Sequence, residues 1–568
     1  MNSTKNIRRA GRLLSVLALL VFAGIFSLGA GQNAAVSASA ATNPWPVEFD
    51  GCTSIQVGRL ASTDGSVMTA HTCDGNYRQW VNIVPHAKHS EGSKNKIYSG
   101  KMHTEMPADQ RGIVVRGEIP QVAETYAFFN TAYPAMNEAG LAIGETTIGG
   151  RRELYNPEGM FMIEEIERIV LERCSTAREA IKLAGQLIKE YGYGDFGECI
   201  TIADSKEVWH FEVFGEGPLQ VGGVWAAVRI PDDHVGISAN IPRISDLDLK
   251  NPDRYMASEN VFSVAEDLGF YDPKKGEPFK FWKAYSGGRP YSIRDFYVLN
   301  TVAPSLKLNM QMEELPFSVK AEKKLSVSDV LALYRETYAG TEYDAGKNLM
   351  VPRRQPMRRP GTQPPAQGQG QAAPQPEMVR SPLAQPWMSG DLVQLVNALK
   401  PGTIHSTRSI AISGCAYATV LQCRPNMPPA IGTVCWFAFD NPGLSPRIPI
   451  YAGATSVPPA FEICGQHRYR TDSAAWMFRR TNRLATLKWA AAEKIMMDNL
   501  LAFEKKALLE MPLVEKVYMN MVSSKTPGTL PFTPAEYLTK WCGDFAHAAM
   551  SKSNELGDKF MFLFRGGI

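Results

Sequence analysis

A cysteine at the start of a predicted β-hairpin has the clearest chemical potential in this sequence. Cys52 begins the segment Cys-Thr-Ser-Ile-Gln-Val-Gly, which predicts a strand. The Thr-Asp-Gly-Ser turn at 63–66 then leads to a second strand that ends near Asp74. A thiol has a pKa of roughly 8.5 and a free α-amine one of roughly 8. If Cys52 became the first residue of the mature chain, its own amine could therefore take the proton from its thiol.

The same cysteine also has a structural interpretation. Cysteine is among the most buried residue types, and a strand cysteine often packs in the core or forms a disulfide. The sequence holds nine cysteines, and spacing alone does not assign disulfides among the eight other than Cys52. An odd total fits one thiol that is kept free, but it does not prove one.

The residues around Cys52 resemble a known family. Cys-Thr-Ser-Ile at 52–55, Ala-Ser-Thr-Asp-Gly-Ser at 61–66 and the following Asp74 are similar to the opening of bacterial dipeptidases of the dipeptidase A type. These enzymes are N-terminal-nucleophile (Ntn) cysteine hydrolases, related to penicillin V acylase and bile salt hydrolase. The likeness covers most of the chain from Cys52 onward and continues in four further segments: 136–147, 236–244, 334–344 and 405–408.

The resemblance implies a catalytic role for several residues. It makes Cys52 the nucleophile, places the family's catalytic aspartate at Asp74 and matches Asn240 to the side chain that helps hold the oxyanion. Arg294 lies at a similar offset to the family's active-site arginine. The alternatives are a turn or cap role for Asp74 and Asn240, and a surface ion pair for Arg294.

Three further positions are candidates on the same grounds. The resemblance implies that Thr146 or Thr147 supplies a backbone donor to the oxyanion. His71 lies where related hydrolases often carry arginine. A cation there could change the pKa of the Cys52 thiol, whereas a histidine can be neutral at pH 7. The substrate charge preference and the pH optimum of the enzyme therefore stay open. Packing is the alternative role for His71.

The amino-terminal segment predicts export. Lys5, Arg8, Arg9 and Arg12 precede an apolar run, and an Ala/Ser-rich stretch follows it. This pattern is typical of a signal peptide over 1–41, although a membrane anchor is the alternative. Residues 42–51 would then form a short propeptide, removed by Cys52 itself or by another protease. The expected location is the periplasm or the extracellular space, with no stable membrane association after cleavage.

The order of predicted elements indicates an α+β fold. Strands at 199–203, 208–214, 225–230 and 234–239 follow a helix pair that begins near Phe161, and its second helix has a capping box at Thr176. Such an order predicts helices outside two stacked sheets. The resemblance implies the four-layer αββα sandwich of Ntn hydrolases, with a C-terminal helical extension.

The domain boundaries follow from composition and pattern. The Ntn domain is expected over 52–351 and resumes over 387–470, with strands at 409–413, 417–421 and 432–439. Between them, 352–386 is rich in Pro, Gln, Gly and Arg and predicts a disordered insertion. Helices are expected over 471–568, including a final helix that begins at Thr533 with a capping-box glutamate.

Composition and missing motifs set limits on the function. A net charge of +3 and 44% hydrophobic residues are ordinary for a globular protein and give no reason to expect nucleic acid as a partner. A papain-like pairing with His210, His234 or His405 lacks the expected cysteine context, and His86 and His89 do not form a metalloprotease motif. A non-enzymatic exported binding protein remains open.

The sequence thus predicts an exported cysteine dipeptidase that acts on dipeptides or short peptides through an N-terminal Cys52. It is expected to need no metal and no organic cofactor, and it could be a homo-oligomer. The alternative is an Ntn acylase or amidase that cleaves non-peptide linear amides of the penicillin V or bile-salt type.

Overall fold

A computed structural model describes residues 51–353, 376–405, 407–524 and 531–566. The predicted signal peptide, all of the predicted propeptide except Gly51, and most of the predicted insertion over 352–386 lie outside these described residues.

The described chain forms twenty-one strands, numbered here in chain order. The first ten are β1 (Ser54–Val57), β2 (Val67–Asp74), β3 (Asn82–Val84), β4 (Ala87–Lys88), β5 (Lys94–Ser99), β6 (Val114–Pro120), β7 (Glu124–Thr125), β8 (Phe128–Asn130), β9 (Met136–Asn137) and β10 (Ala142–Thr147). The others are β11 (Glu198–Ala203), β12 (Val208–Phe214), β13 (Val224–Arg229), β14 (His234–Ser238), β15 (Tyr255–Ala257), β16 (Ser318–Lys320), β17 (Met350–Pro352), β18 (Met378–Arg380), β19 (Cys415–Cys423), β20 (Thr433–Phe439) and β21 (Ile448–Tyr451).

Two large antiparallel sheets organise these strands. The first has the order β16-β14-β1-β2-β19-β20-β21, and the second has the order β15-β13-β12-β11-β10-β9-β8-β3. The two sheets touch through hydroxyl side chains as well as apolar ones: Thr201 Oγ1 lies 2.7 Å from Ser54 Oγ and 2.6 Å from Thr69 Oγ1. The strand that follows Cys52 is therefore central in its sheet and packed against the other sheet.

Eleven α-helices occur in the described residues. They are α1 (Ile163–Arg173), α2 (Ala177–Tyr191), α3 (Ser263–Asp267), α4 (Phe281–Tyr285), α5 (Ile293–Val302), α6 (Val327–Leu333), α7 (Gly390–Leu399), α8 (Pro429–Gly432), α9 (Ala474–Leu487), α10 (Trp489–Ser523) and α11 (Pro534–Leu563). Helix α2 packs on β11 and β12, while α5 packs on β14 and α9 on β20. Helices thus lie against both sheets, and the expected mixed α and β architecture with stacked sheets is confirmed.

Local sequence signals locate several of these elements correctly. The Thr176 side chain accepts a hydrogen bond from the Glu179 backbone in a capping box at the start of α2, and α11 begins with the same arrangement at Thr533 and Glu536. Pairing of Gln56 with Thr69 confirms the predicted hairpin of β1 and β2. These signals succeed because the interactions involved lie within a few residues of each other.

One expectation about secondary structure is wrong. Residues 409–413 form no strand. There the backbone bonds elsewhere: Ala411 N–H donates to the Glu336 carbonyl, and Ser409 Oγ donates to the Ala411 carbonyl. The helices expected from residue 471 onward are present, and the backbone at Lys488 leaves the helical conformation (φ −137°, ψ 60°) between α9 and α10.

The predicted insertion begins and ends at one place in the fold. Strand β17 pairs with β18 in a two-stranded antiparallel sheet, and these strands flank the segment that lies outside the described residues. The nine cysteines are all buried and unpaired, so none of the possible disulfides is present. Within the described ranges, no helix has both the length and the apolar character needed to cross a membrane.

Candidate active site

Cys52 lies two residues before β1, and the residue after it, Thr53, is hydrogen-bonded to Thr72 of β2. The Thr53 N–H donates to Thr72 Oγ1 over 2.9 Å, and the Thr72 N–H donates to the Thr53 carbonyl over 3.0 Å. Tyr334, from the segment at 334–344, donates its hydroxyl to the same carbonyl over 2.9 Å. The Cys52 side chain is only 2% exposed. The local fold therefore fixes the thiol in a nearly enclosed position.

Asp74, at the end of β2, contacts the cysteine directly. Its backbone N–H donates a hydrogen bond to the Cys52 thiol. Its carboxylate accepts from Thr72 Oγ1 over 3.0 Å and forms a buried ion pair with Arg408. The hairpin thus brings Asp74 beside Cys52, as its position in the motif predicts.

Arg294 and Asn240 contact the backbone around Cys52 from a different part of the chain. Arg294 is 1% exposed and lies in the first turn of α5. Its Nη1 donates to the Cys52 carbonyl over 2.7 Å, and its Nη2 donates to Asn240 Oδ1 over 2.9 Å. Asn240 follows β14 in a left-handed conformation with φ of 62°. Arg294 is therefore buried at the site, and the alternative of a surface ion pair is wrong.

The peptide group before Cys52 has a distinctive environment. The Gly51 carbonyl accepts a hydrogen bond from Arg408 Nη2 and a longer one, 3.4 Å, from Arg294 Nη1. Gly51 has φ of +146°, and a Cβ at this position would lie 2.2 Å from Asn240 Oδ1. No other residue type fits here without displacing Asn240. Two guanidinium groups therefore polarise the carbonyl of the bond that precedes the thiol.

Thr146 and Thr147 contact different residues near the end of β14. Thr146 Oγ1 contacts Ser238 Oγ at the end of β14. The Thr147 carbonyl accepts a hydrogen bond from Asn240 Nδ2 over 2.6 Å. Both residues thus belong to the site region, and the contact of Thr147 with Asn240 is made by its carbonyl oxygen.

His71 is buried beside the cysteine as a neutral side chain. Its Nδ1 lies 2.6 Å from the Glu145 carbonyl, and its ring contacts Tyr133 and Tyr417. Burial lowers the pKa of His71 to about 4. At pH 7 this position therefore carries no positive charge, unlike the arginine that related hydrolases often have there.

The sequence-based set lacks an acidic residue next to the thiol, Glu145, and the acidic residue in contact with it, Glu198. Glu145 and Glu198, on the neighbouring strands β10 and β11, are both fully or nearly fully buried and interact through their carboxyl groups. Burial raises the pKa of Glu145 to about 7 and raises the pKa of Glu198 as well. Burial, followed by the charge of Glu145, also raises the pKa of the Cys52 thiol well above its ordinary value.

Arg408 and Tyr334 are further residues that sequence reasoning left without a role. Both lie in segments that carry the family resemblance, 405–408 and 334–344, so the motifs themselves were the available signal. Their partners are more than 250 residues away in the chain, since Arg408 pairs with Asp74 and Tyr334 bonds to the Thr53 carbonyl. Only the folded structure shows what they contact.

One group of side chains near the cysteine has the composition of a metal site. Ligand atoms of Cys52, His71 and Glu145 all lie within 4.8 Å of one another, and the described residues hold no other such cluster. Thiolate, imidazole and carboxylate are zinc ligands. The expectation that the enzyme needs no metal is therefore best examined with a chelator.

The remaining histidines of the papain-like alternative lie elsewhere. His210 bonds to Glu212 over 2.9 Å and lies 3.3 Å from Cys199 Sγ, in a cluster that is completely buried. His234 Nδ1 lies 2.9 Å from Ser318 Oγ, and His405 Nε2 lies 3.5 Å from Asn348 Nδ2. These contacts give no support to a pair between Cys52 and any of the three histidines.

Comparison with known proteins gives this arrangement a family. Residues 51–500 match peptidase family C69, which is most of the chain. The chain belongs to peptidase family C69. The C69 match begins at Gly51, one residue before Cys52, and it includes every candidate site residue described above.

Similar proteins carry related names. A probable dipeptidase from Salmonella dublin is 28% identical over 430 residues, covering 72% of this chain and 82% of the relative. A probable dipeptidase from Latilactobacillus sakei is 24% identical over 494 residues, covering 84% and 90%. Dipeptidase A from Lactobacillus helveticus is 22% identical over 476 residues, covering 81% and 86%. This C69 protein is therefore a peptidase, with likeness to dipeptidases along most of its length.

Proposed function

We propose that this C69 peptidase is an exported dipeptidase whose nucleophile is Cys52, exposed as the mature N-terminus by cleavage of the Gly51–Cys52 bond. The single observation that carries the proposal is the Gly51 carbonyl, held by Arg408 and Arg294 directly before a buried thiol. The names of the relatives support dipeptides as substrates in preference to non-peptide amides.

The first chemical step is self-cleavage. The Cys52 sulfur attacks the Gly51 carbonyl carbon, and the two arginines stabilise the negative charge that develops on its oxygen. The C–N bond then breaks, the Cys52 nitrogen takes the thiol proton and leaves as a free amine, and a thioester joins Gly51 to the sulfur. Water hydrolyses this thioester, which releases the Gly51 carboxylate and restores the thiol.

The mature enzyme would use the new amine as its base. The Cys52 amine takes the thiol proton, and the thiolate attacks the substrate carbonyl while Asn240 and a backbone N–H hold the oxyanion. The amine then returns the proton to the leaving amine, and water releases the acyl group from sulfur. Asp74, fixed by Arg408, lies beside Cys52 and would orient its amine.

The proposal extends to fold and location. The stacked antiparallel sheets with helices against both of them support the four-layer αββα arrangement of Ntn hydrolases. The basic and apolar pattern of residues 1–41 supports export before or during processing.

Release of free amino acids from a panel of dipeptides tests the activity. The wild-type enzyme should hydrolyse dipeptides and leave penicillin V and bile-salt amides intact, whereas Cys52→Ala should lose activity by at least about a thousandfold, as expected for removal of a nucleophile. Cys542→Ala is the matched control, because Cys542 is also buried but lies in the distant helix α11. Full activity of Cys52→Ala would overturn the proposal.

A further inference from the structure

The proposed mechanism leaves one buried acidic group beside the thiol without a task. Glu145 is completely buried, yet one of its carboxylate oxygens lies within 4.8 Å of Cys52 Sγ. Any substrate that brings its carbonyl carbon to this sulfur must therefore come close to Glu145. Burying an acidic group is costly unless a partner compensates it, so its position next to the nucleophile calls for a functional explanation.

No cation in the described part of the chain pairs with this carboxyl. Its ion-pair neighbour is His71 at 3.6 Å, and that imidazole is neutral at pH 7. Glu145 Oε1 accepts a hydrogen bond from Thr147 Oγ1 over 3.3 Å, and the Glu145 carboxyl also contacts that of Glu198. The oxygens Glu145 Oε2 and Glu198 Oε2 are buried and accept no hydrogen bond from an N–H or hydroxyl donor of the described residues. The nearby arginines face other groups, since Arg294 bonds to the Cys52 carbonyl and Arg408 pairs with Asp74.

The dimensions fit a peptide with a free amino terminus. During attack the carbonyl carbon lies about 3 to 3.5 Å from the sulfur. The α-nitrogen of the same residue is roughly 2.5 Å from that carbon, as standard bond lengths and angles require. A charge-assisted hydrogen bond then adds about 2.8 Å from that nitrogen to a carboxylate oxygen. A substrate can therefore place its carbonyl carbon at Cys52 Sγ and its α-nitrogen at the Glu145 oxygen at the same time, because these two protein atoms are at most 4.8 Å apart.

We propose that Glu145, supported by Glu198, binds the α-ammonium group of the substrate and so selects peptides with a free amino terminus at the cleaved residue. This inference rests on the proposed function of Cys52 as nucleophile. The neighbouring aromatic side chains bring no competing charge. The Tyr133 ring lies 5.5 Å from the His71 ring and 5.9 Å from the Tyr77 ring, measured between centroids, and burial raises the pKa of both tyrosines.

The pair offers acceptor oxygens to a single ammonium group. The two carboxyl groups are in contact, and adjacent buried negative charges repel each other. An ammonium group bound here would offset that repulsion and donate hydrogen bonds to the carboxylate oxygens. An N-acylated peptide offers no positive charge and should bind poorly.

Alkylation of Cys52 measures this preference without depending on peptide hydrolysis. The two probes are alanyl chloromethyl ketone, which has a free amine, and its N-acetyl derivative. In both cases the sulfur displaces chloride and forms a C–S bond, and mass spectrometry follows the modified cysteine. We expect wild-type Cys52 to react at least about ten times faster with the free-amine probe, which corresponds to about 1.4 kcal/mol of recognition.

Three variants separate recognition from other effects. Glu145→Gln should remove most of the preference, and Glu145→Asp should restore part of it, since it keeps the charge at a shorter reach. Glu167→Gln is the matched control, because Glu167 is also buried in the acidic surroundings of Glu145 but lies in α1 and outside the group next to Cys52. It should keep the wild-type preference.

The possible results are distinguishable. Equal alkylation rates of wild-type Cys52 by the two probes would overturn the inference. So would an equal slowing of both probes by Glu145→Gln, because Glu145 would then act on Cys52 itself. If the free-amine probe is preferred but dipeptides are not hydrolysed in a parallel assay, recognition of the amine stands and the dipeptidase proposal fails.

Discussion

At the scale of single residues, Gly51 is the position at which processing is most sensitive to a small change. A Cβ at residue 51 would lie 2.2 Å from Asn240 Oδ1, and the backbone there has φ of +146°. Gly51→Ala should therefore displace the carbonyl from the two arginines and slow cleavage by at least about a hundredfold, since misplacement of reacting atoms by about 1 Å costs that much.

Intact mass over time after expression measures this rate. Gly543→Ala is the control, because Gly543 lies in α11 and a Cβ there would meet no atom within 4 Å. Processing of Gly51→Ala at the wild-type rate would contradict the role of this carbonyl.

Arg408 carries two functions at the residue scale, as the partner of Asp74 and as a donor to the Gly51 carbonyl. Arg408→Gln should leave the buried Asp74 carboxylate without its cation. We expect a loss of about 3 kcal/mol in the free energy of unfolding, together with loss of processing. Urea unfolding and intact mass measure the two effects.

The exposed pair of Arg353 and Glu377 provides a comparison. Their side chains are 63% and 65% exposed, so Arg353→Gln should cost less than about 1 kcal/mol. Equal effects of the two substitutions on stability would show that burial of the Arg408 pair is energetically unimportant.

At the scale of elements, helix α1 should make stability depend on pH. Burial, followed by the negative charges of Asp195 and Glu165, raises the pKa of Glu164 in its first turn from 4.5 to about 8. The folded state therefore binds a proton that the unfolded state has lost, so stability falls as pH rises from about 4.5 to about 8. Glu164→Gln should reduce this pH-dependent loss in the free energy of unfolding by on the order of 3 kcal/mol.

Unfolding by urea at about pH 5 and about pH 8.5 measures this difference. Glu190→Gln is the control on the exposed side of α2. His71 acts in the opposite direction at lower pH: its pKa of about 4 means that stability rises with pH up to its ordinary value of 6.5. A Glu164→Gln variant whose stability changes between the two pH values by the same amount as that of the wild type would contradict the assignment for Glu164.

The elements also show where sequence patterns succeed. The β1–β2 hairpin and the capping boxes of α2 and α11 depend on neighbours a few residues apart, so their patterns are visible in the sequence. The predicted strand at 409–413 fails because its alternative partners, such as the Glu336 carbonyl, come from a distant segment. Apolar and β-branched composition does not distinguish a segment that pairs in a sheet from one whose backbone bonds to a distant loop or turn.

At the scale of the whole molecule, some residues of the candidate site are predictable from the sequence, and others are brought together only by the fold. Cys52 and Asp74 share one hairpin, and the family resemblance supplies Asn240 and Arg294. Glu145 lies next to the cysteine, Glu198 contacts Glu145, and Arg408 contacts Asp74 and Gly51, each from a distant part of the chain. These contacts depend on the three-dimensional fold, which sequence spacing does not reveal.

The whole enzyme should work without a bound metal. The cluster of Cys52, His71 and Glu145 could bind zinc, but the proposed chemistry needs only thiol, amine and hydrogen-bond donors. Dialysis against 1,10-phenanthroline should leave dipeptide hydrolysis unchanged within about twofold, whereas removing a catalytic zinc would abolish it. Loss of activity that added zinc restores would contradict the proposed mechanism.

The mass and N-terminal sequence of the exported protein, for the wild type beside Cys52→Ala, show whether Cys52 becomes a free N-terminus. We expect a wild-type chain that begins at Cys52 and a variant that retains the residues before it. A fully active wild-type protein that begins upstream, near Thr42, would contradict the α-amine mechanism, because the Cys52 nitrogen would still be part of a peptide bond.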